Sequence, residues 1–214
     1  MPTLSEADSK ALLAAHDVAV PGEAVVATPE QAADAAARIG FPVAVKLCGP
    51  AIAHKTERGL VRLGLADGPS VAGAAAALLA AATPADGPVG VLVSQMVRGN
   101  RELIAGAAHD PQFGPCVMLG MGGVLAEVMG EVVFRLAPLA DVDAQELIDD
   151  LQPAALLGEV RGEPPVDRAA LARTLVALGR LITGDARVRS IDCNPLIVSG
   201  GVPVAVDALV EVDG

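Results

Sequence analysis

Apolar residues in this chain recur with two periods in alternation, helical in some segments and β-like in the next. That alternation restricts the chain to an α/β class. Residues 4–16 place Leu4, Ala7, Ala11, Leu12 and Ala15 on one helical face, with Ser5 or Asp8 as the cap. Pro21-Gly22 breaks the run, and a short strand is predicted over 24–27. Thr28-Pro29-Glu30 joins a capping side chain, a first-turn proline and an acid near the positive end of the helix dipole; the helix it starts stops at Gly40. Strands are predicted over 41–47, 59–65, 90–96, 102–107, 116–120 and 132–136, and helices over 70–82, 143–151 and 167–183. A β block of 188–193, 196–198 and 202–206 ends the chain, its last two strands joined by the hairpin signal Ser199-Gly200-Gly201. The Pro- and Gly-rich stretch 158–165 reads as the flexible connector.

The 214 residues allow one large domain or two lobes. A composition 52% apolar excludes disorder, while the apolar runs are too interrupted for a membrane span. The opening MPTLSEADSK lacks a basic start followed by an apolar block, so a cytoplasmic protein without a signal peptide is expected. A net charge of −11 and 1% aromatics argue against nucleic acid, which needs clustered cations and stacking rings. Cys48, Cys116 and Cys193 form no CxxC, so neither zinc nor a disulfide framework is indicated. Lys10, Lys46 and Lys55 are the only lysines, which makes each more informative than usual.

Four clusters carry chemistry. Lys46 ends an apolar strand, where an ammonium is either at the strand tip in solvent or held near the interior by an anion such as a nucleotide phosphate. The loop after it holds Gly49-Pro50, His54 and Lys55; His54 is a surface histidine, an acid/base, or a phosphoryl-accepting nucleophile. Ser94 to Glu102 is an ordinary hairpin or a hinge between two lobes whose backbone groups meet an adenine edge, with Glu102 on ribose or a metal-bound group. Gly120-Met121-Gly122-Gly123, with Glu127 beyond, is a tight turn or a phosphate cradle. The most specific cluster is Ser190-Ile191-Asp192-Cys193-Asn194-Pro195. Asp192 and Asn194, two apart on an extended segment, share a face that Asp207 can reach after the hairpin. Converging carboxylate and amide oxygens suit Mg²⁺, and a hydrogen-bonded structural turn is the alternative.

In this order the parts resemble the ATP-grasp domain. More closely, they resemble the beta subunit of ADP-forming acyl-CoA synthetases, relatives of succinyl-CoA synthetase. The resemblance runs from Leu4 to about Val210 and rests on PVAVKLCGPAIAHKTERGLVRLGL, RELIAGAAHDPQFGPCVMLGMGGVLAEVMGEVVFRLAPL, and IDCNPLIV followed by VAVDA. It implies two lobes, each a mainly antiparallel sheet flanked by helices, with nucleotide in the cleft between them. The lobes would span about 20–95 and 96–214 within a single domain, after an N-terminal helix at 4–16.

The resemblance also implies ATP or ADP with Mg²⁺ as cofactors, and interconversion of acyl-CoA, ADP and phosphate with carboxylic acid, CoA and ATP through a phosphohistidine. Lys46 should then bind phosphate and His54 should accept the phosphoryl group. Gln95, Met96, Val97, Glu102, Gly122 and Gly123 should contact nucleotide, while Asp192, Asn194 and Asp207 should hold the metal. Two positions depart from the pattern. Ser190 stands where relatives often carry the first of two acids, and Leu60 where a second Gly is common. A chain of this length has no room for a CoA-binding domain or a second ligase domain, so an alpha-type partner that brings CoA and the acyl substrate is expected. The competing readings are another ATP-grasp carboxylate ligase and a nucleotide-sensing module that transfers nothing.

Overall fold

In a computed structural model of the chain, residues 2–52, 55–123 and 132–213 are described. Among them are ten strands and five helices of more than one turn: α1 (Glu6–Ala14), β1 (Glu23–Val26), α2 (Pro29–Ile39), β2 (Val43–Cys48), β3 (Val61–Leu65), α3 (Gly68–Ala80), β4 (Gly90–Gln95), β5 (Glu102–Asp110), β6 (Gly114–Met121), β7 (Val132–Leu136), α4 (Asp141–Asp150), α5 (Arg168–Gly184), β8 (Val188–Ser199), β9 (Val202–Ala205) and β10 (Leu209–Val212). The chain forms two compact units. The smaller is Thr3–Asp8 with Pro21–Met96, and the larger is Met1–Pro2, Ser9–Val20 and Val97–Gly214.

In the smaller unit the strands lie in the order β1-β4-β2-β3, all antiparallel. Along β2, Val43, Val45 and Leu47 face α2 and α3 and pack with Ala32, Ala35, Ala36, Val71, Ala75 and Leu78. The small alanines let both helices sit close to the sheet, and interiors of this kind are close-packed. Helix starts follow cap chemistry. Thr28 Oγ1 accepts from the Gln31 N–H at 3.3 Å and Asp67 Oδ1 from the Ser70 N–H at 2.8 Å. Ser5, rather than Asp8, caps α1, its hydroxyl accepting from the Asp8 N–H at 3.2 Å. Glu6 therefore occupies the first helical position.

By period-two alternation, Ala44, Lys46 and Cys48 point to the other face of β2. All six β2 residues are buried, so this second face is covered as well.

In the larger unit the order is β10-β8-β5-β6-β7, with β9 also on β8. Helix α5 supplies the buried ridge Leu171, Leu175, Leu178, Leu181 and Ile182. Each such side chain contributes about 1.5–3 kcal/mol by leaving water.

Two expectations need correction. The β block from 188 to 198 is one strand rather than two. Leu103 pairs with Leu196 and Ala105 with Cys193, so Asn194 and Pro195 together oppose the single residue Ile104. That bulge accommodates a proline that cannot donate to a ladder. It also flips the phase: Ile191 and Cys193 are buried before it, Leu196 and Val198 after it.

The stretch 158–165 is not a loose connector. Arg101, 4% exposed, donates to the carbonyls of Leu156 (3.3 Å), Gly158 (2.7 Å) and Pro164 (2.5 Å). Glu163 accepts from the Asn100 backbone N–H at 2.9 Å and side-chain amide at 2.8 Å.

Candidate functional site

Lys46 is held by an anion inside the fold. Its Nζ lies 2.6 Å from Glu6 Oε1, while the other oxygen of the same carboxylate takes Lys55 Nζ. The Glu6 side chain is 2% exposed and that of Lys46 9%. One carboxylate thus binds two ammonium groups, one oxygen each. Burial pushes the neighbouring Cys48 thiol up, and the Glu6 charge adds to the effect.

The loop after β2 is tied on both sides of residues 53–54. Thr3 Oγ1 donates to the Pro50 carbonyl at 2.9 Å, and Arg58 makes a two-pronged pair with Asp86 at 2.7 and 2.9 Å. His54 itself lies outside the described residues, as does Glu127.

The run Gln95-Met96-Val97 follows β4, and the division between the units falls between Met96 and Val97. The N–H groups of Gln95 and Met96 already donate, to Gly22 O at 2.9 Å and Pro42 O at 3.2 Å. In the larger unit, Gly99 packs onto β8 so closely that a Cβ there would sit 2.1 Å from the Val198 carbonyl oxygen; only glycine fits.

Glu102 and the glycine turn come together. The Gly122 N–H donates to the Glu102 carbonyl at 2.8 Å, and a Cβ on Gly123 (φ +65°) would lie 3.1 Å from Glu102 Oε2. The two glycines therefore make room for the Glu102 side chain.

Asp192 and Asn194 stand exposed on one face of β8, with Ile191 and Cys193 buried on the other. Asp207 sits in a bend between β9 and β10 rather than at a strand end. Ala205 of β9 pairs with Leu196, the Val206 N–H donates to Pro195 O at 3.2 Å, and Leu209 of β10 pairs with Asp192. The bend at 206–208 thus spans β8 at the level of Asn194. Surrounding protein, and next the Asp207 charge, raise the Asp192 carboxyl above its ordinary value. Asp192 keeps surface to solvent, and the crowding comes from the sheet around it.

Among the described residues no three His, Cys, Asp or Glu side chains gather as a metal centre. Two neighbouring carboxylates and an amide oxygen fit Mg²⁺, which takes few protein ligands and keeps waters and phosphate oxygens. Beyond Asp192 a cavity of about 570 Å³ is lined by the apolar Ala108, Phe113, Met118 and Phe134 together with His109, Asp110 and Ser190, and none of the other candidate residues lines it.

Two residues escaped sequence reasoning. Glu6 lies 40 positions from Lys46, and its only local signal is the cap at Ser5. Arg101 adjoins Glu102, and nothing near it in sequence marks the carbonyls it gathers. The third lysine, Lys10, is fully buried in the larger unit, its Nζ 3.5 Å from the Val206 carbonyl.

Comparison with known proteins supplies the context. The profile of the ATP-grasp domain matches residues 2–212. The chain is 34% identical over 208 residues to the beta subunit of acetate–CoA ligase [ADP-forming] I of Pyrococcus furiosus, covering 96% of this chain and 90% of that one. It is 34% identical over 200 residues to the 4-hydroxybutyrate–CoA ligase [ADP-forming] of Nitrosopumilus maritimus, covering 92% of this chain but only 29% of that relative's length. The dinucleotide-forming acetyl-coenzyme A synthetase 1 of Ca. Korarchaeum cryptofilum superposes with a TM-score of 0.91 in its complex with coenzyme A and Ca-AMPCP, at 31% identity, covering 99% of this chain and 94% of that one. Its complex with coenzyme A and Mg-AMPPCP, whose phosphohistidine segment points towards the nucleotide site, gives 0.85 at 31% identity, covering 99% and 93%.

Proposed function

Since this chain belongs to the ATP-grasp domain family, as the beta subunits of ADP-forming acetate–CoA ligases do, we propose that it is the nucleotide-binding part of an ADP-forming acid–thiol ligase. It interconverts acyl-CoA, ADP and phosphate with carboxylic acid, CoA and ATP. The observation that carries this reading is the pair of acids at the bulge: Asp192 and Asn194 share the exposed face of β8, and Asp207, in the bend that spans β8 at that level, adds to the burial that raises the Asp192 carboxyl. Like charges brought together at a surface suit a site completed by a divalent cation.

In this reading Asp192, Asn194 and Asp207 hold Mg²⁺, which neutralises phosphate charge when bound. Lys46 orients the phosphates. Glu102, set in place by Gly122 and Gly123, takes the ribose. The N–H groups of Gln95 and Met96 are spent within the fold, so the adenine edge falls to the Met96 carbonyl and the Val97 N–H. His54 attacks the γ-phosphorus through a neutral ring nitrogen, forming an N–P bond as the bond to the ADP oxygen breaks. With three Phe and neither Tyr nor Trp in the chain, aliphatic side chains grip the base.

The Pyrococcus furiosus relative, 90% of whose length this chain covers, is named as a subunit, whereas in the Nitrosopumilus maritimus relative the matching region is only 29% of a longer polypeptide. We therefore assign CoA and acyl binding to an alpha-type partner, subunit or domain, and place the assembly in the cytoplasm. No helix among the described residues is long and apolar enough to cross a membrane.

Incubation with γ-labelled ATP and Mg²⁺, with and without a CoA-binding partner subunit, tests the reading. The expected product is an acid-labile, base-stable label that is lost in His54→Ala. Absence of label under both conditions overturns it.

A further inference from the structure

The buried carboxylate of Glu6 is unexplained by anything above. A glutamate at the first position of a helix ordinarily points to solvent and complements the helix dipole. Here its side chain is 2% exposed and spans two lysines, Lys46 on the covered face of β2 and Lys55 in the loop that follows. All three residues belong to the smaller unit.

Two physical consequences follow. A buried ammonium without a partner is costly, and Glu6 is the counter-ion that the fold sets beside Lys46 where the strand has buried it. A carboxylate also has two acceptor oxygens at a fixed separation. Binding one lysine on each oxygen holds the ammonium groups side by side, when each would otherwise sweep a large volume on a four-carbon stem. The net charge of the trio is positive, which suits a phosphate approaching it.

We propose that Glu6 is a positioning residue for nucleotide phosphate: it fixes Lys46 and Lys55 as a charged pair, and affinity for the phosphate chain depends on it. The inference rests on the assignment of Lys46 to phosphate made above. It adds a residue from the start of the chain, and it adds Lys55, to that function.

Glu6→Gln is the discriminating variant. An amide offers one acceptor oxygen and an NH₂ group that repels an ammonium, so it can hold one lysine but not two. Binding of ATP, ADP and adenosine is measured by calorimetry, and by saturation-transfer NMR for the weak ligand. Glu6→Gln, Lys46→Met and Glu6→Asp are compared with the native chain, with the thermal midpoint recorded for each. The expected result is a loss of about tenfold or more in ATP and ADP affinity for Glu6→Gln, the size of one charge-assisted contact. Adenosine binding should be unchanged, because adenosine carries no phosphate. Glu6→Asp keeps the charge on a shorter stem and should recover part of the loss.

A parallel fall for adenosine marks Glu6 as merely structural and overturns the proposal. Unchanged or tighter ATP binding in Glu6→Gln also overturns it, the latter by showing that the carboxylate competes with phosphate. If Glu6→Gln is silent while Lys46→Met loses affinity, this inference alone fails. If Lys46→Met keeps full affinity, the phosphate assignment itself fails and takes this inference with it.

Discussion

The two ends of the proposed chemistry are built in opposite ways. In the smaller unit the cation Lys46 is buried on a strand with no exposed residue, and the fold supplies its counter-ion, Glu6. In the larger unit Asp192 stands exposed on β8, Asp207 in the bend after β9, and the surrounding protein and then the Asp207 charge raise the Asp192 carboxyl instead of relieving it. One cation is given its counter-ion by the fold, and the other site brings like charges together, which in the proposed reading a cation from solution relieves. The difference follows from solvation. A buried ammonium without a partner costs several kcal/mol, whereas a carboxylate with surface to water costs far less.

The largest effect should come from exchanging these environments. Lys46→Met takes away one ion-pair partner of the buried Glu6 and leaves Lys55 on its other oxygen, so unfolding stability should fall by about 2 kcal/mol, less than for a fully stranded charge. ATP affinity should fall with it. Asp192→Asn should lower ATP affinity at limiting Mg²⁺, with saturating Mg²⁺ restoring part of it, while the urea midpoint holds or rises. Equal loss of stability in both variants would break the contrast. So would an unchanged Mg²⁺ titration in Asp192→Asn.

Acid titration sharpens the same contrast, with a smaller effect. Asp86 of the smaller unit accepts both guanidinium nitrogens of Arg58 and also the Thr83 N–H, and its carboxyl lies well below the usual range. A depressed carboxyl adds stability that is complete above the ordinary carboxylate pKa and is lost as pH falls through the folded value. Asp192 is raised, so the sign reverses. The folded chain takes up that proton more readily than the unfolded chain, and the ionised group costs stability at neutral pH that is recovered on acidification. Urea midpoints between pH 7 and pH 3 should therefore fall less steeply for Asp86→Asn than for the native chain. They should fall more steeply for Asp192→Asn, which lacks the compensating gain. Parallel curves for all three would refute the electrostatic account of both groups.

How much of this the sequence disclosed depended on the range of the force involved. The limits of α2 were readable from Thr28, Pro29 and Gly40 because capping acts within one turn. The face shared by Asp192 and Asn194 was readable because strand period is local. The continuity of β8 was not, since Pro195 looks like a strand break unless the neighbouring strand is known to supply a bulge opposite it. Strand β10 was missed for a similar reason. Its four residues pair with β8 across the bend at 206–208, a partnership that local pattern does not carry. Arg101 and the 156–164 carbonyls meet over more than fifty residues, as do Glu6 and Lys46 over forty. Such contacts leave no periodicity, and a glutamate in a first turn reads as an ordinary helix start. The sequence thus named the cation at Lys46 as held by an anion or exposed, but could not name the anion.

The smallest expected effect serves as the control on the contrast. Thr28 caps α2 by accepting from the Gln31 N–H, and the helix carries Ala32, Ala35 and Ala36 into the same core as Val43 and Val45. Thr28→Ala removes one capping bond and should cost about 1 kcal/mol of stability. It touches neither Glu6 nor Lys46, so ATP affinity measured well below the unfolding temperature should not change. If Thr28→Ala weakened ATP binding in proportion to its stability loss, the effect of Lys46→Met would be explained by a loosened smaller unit. If ATP affinity holds while stability falls, the loss in Lys46→Met belongs to the ammonium and its buried partner.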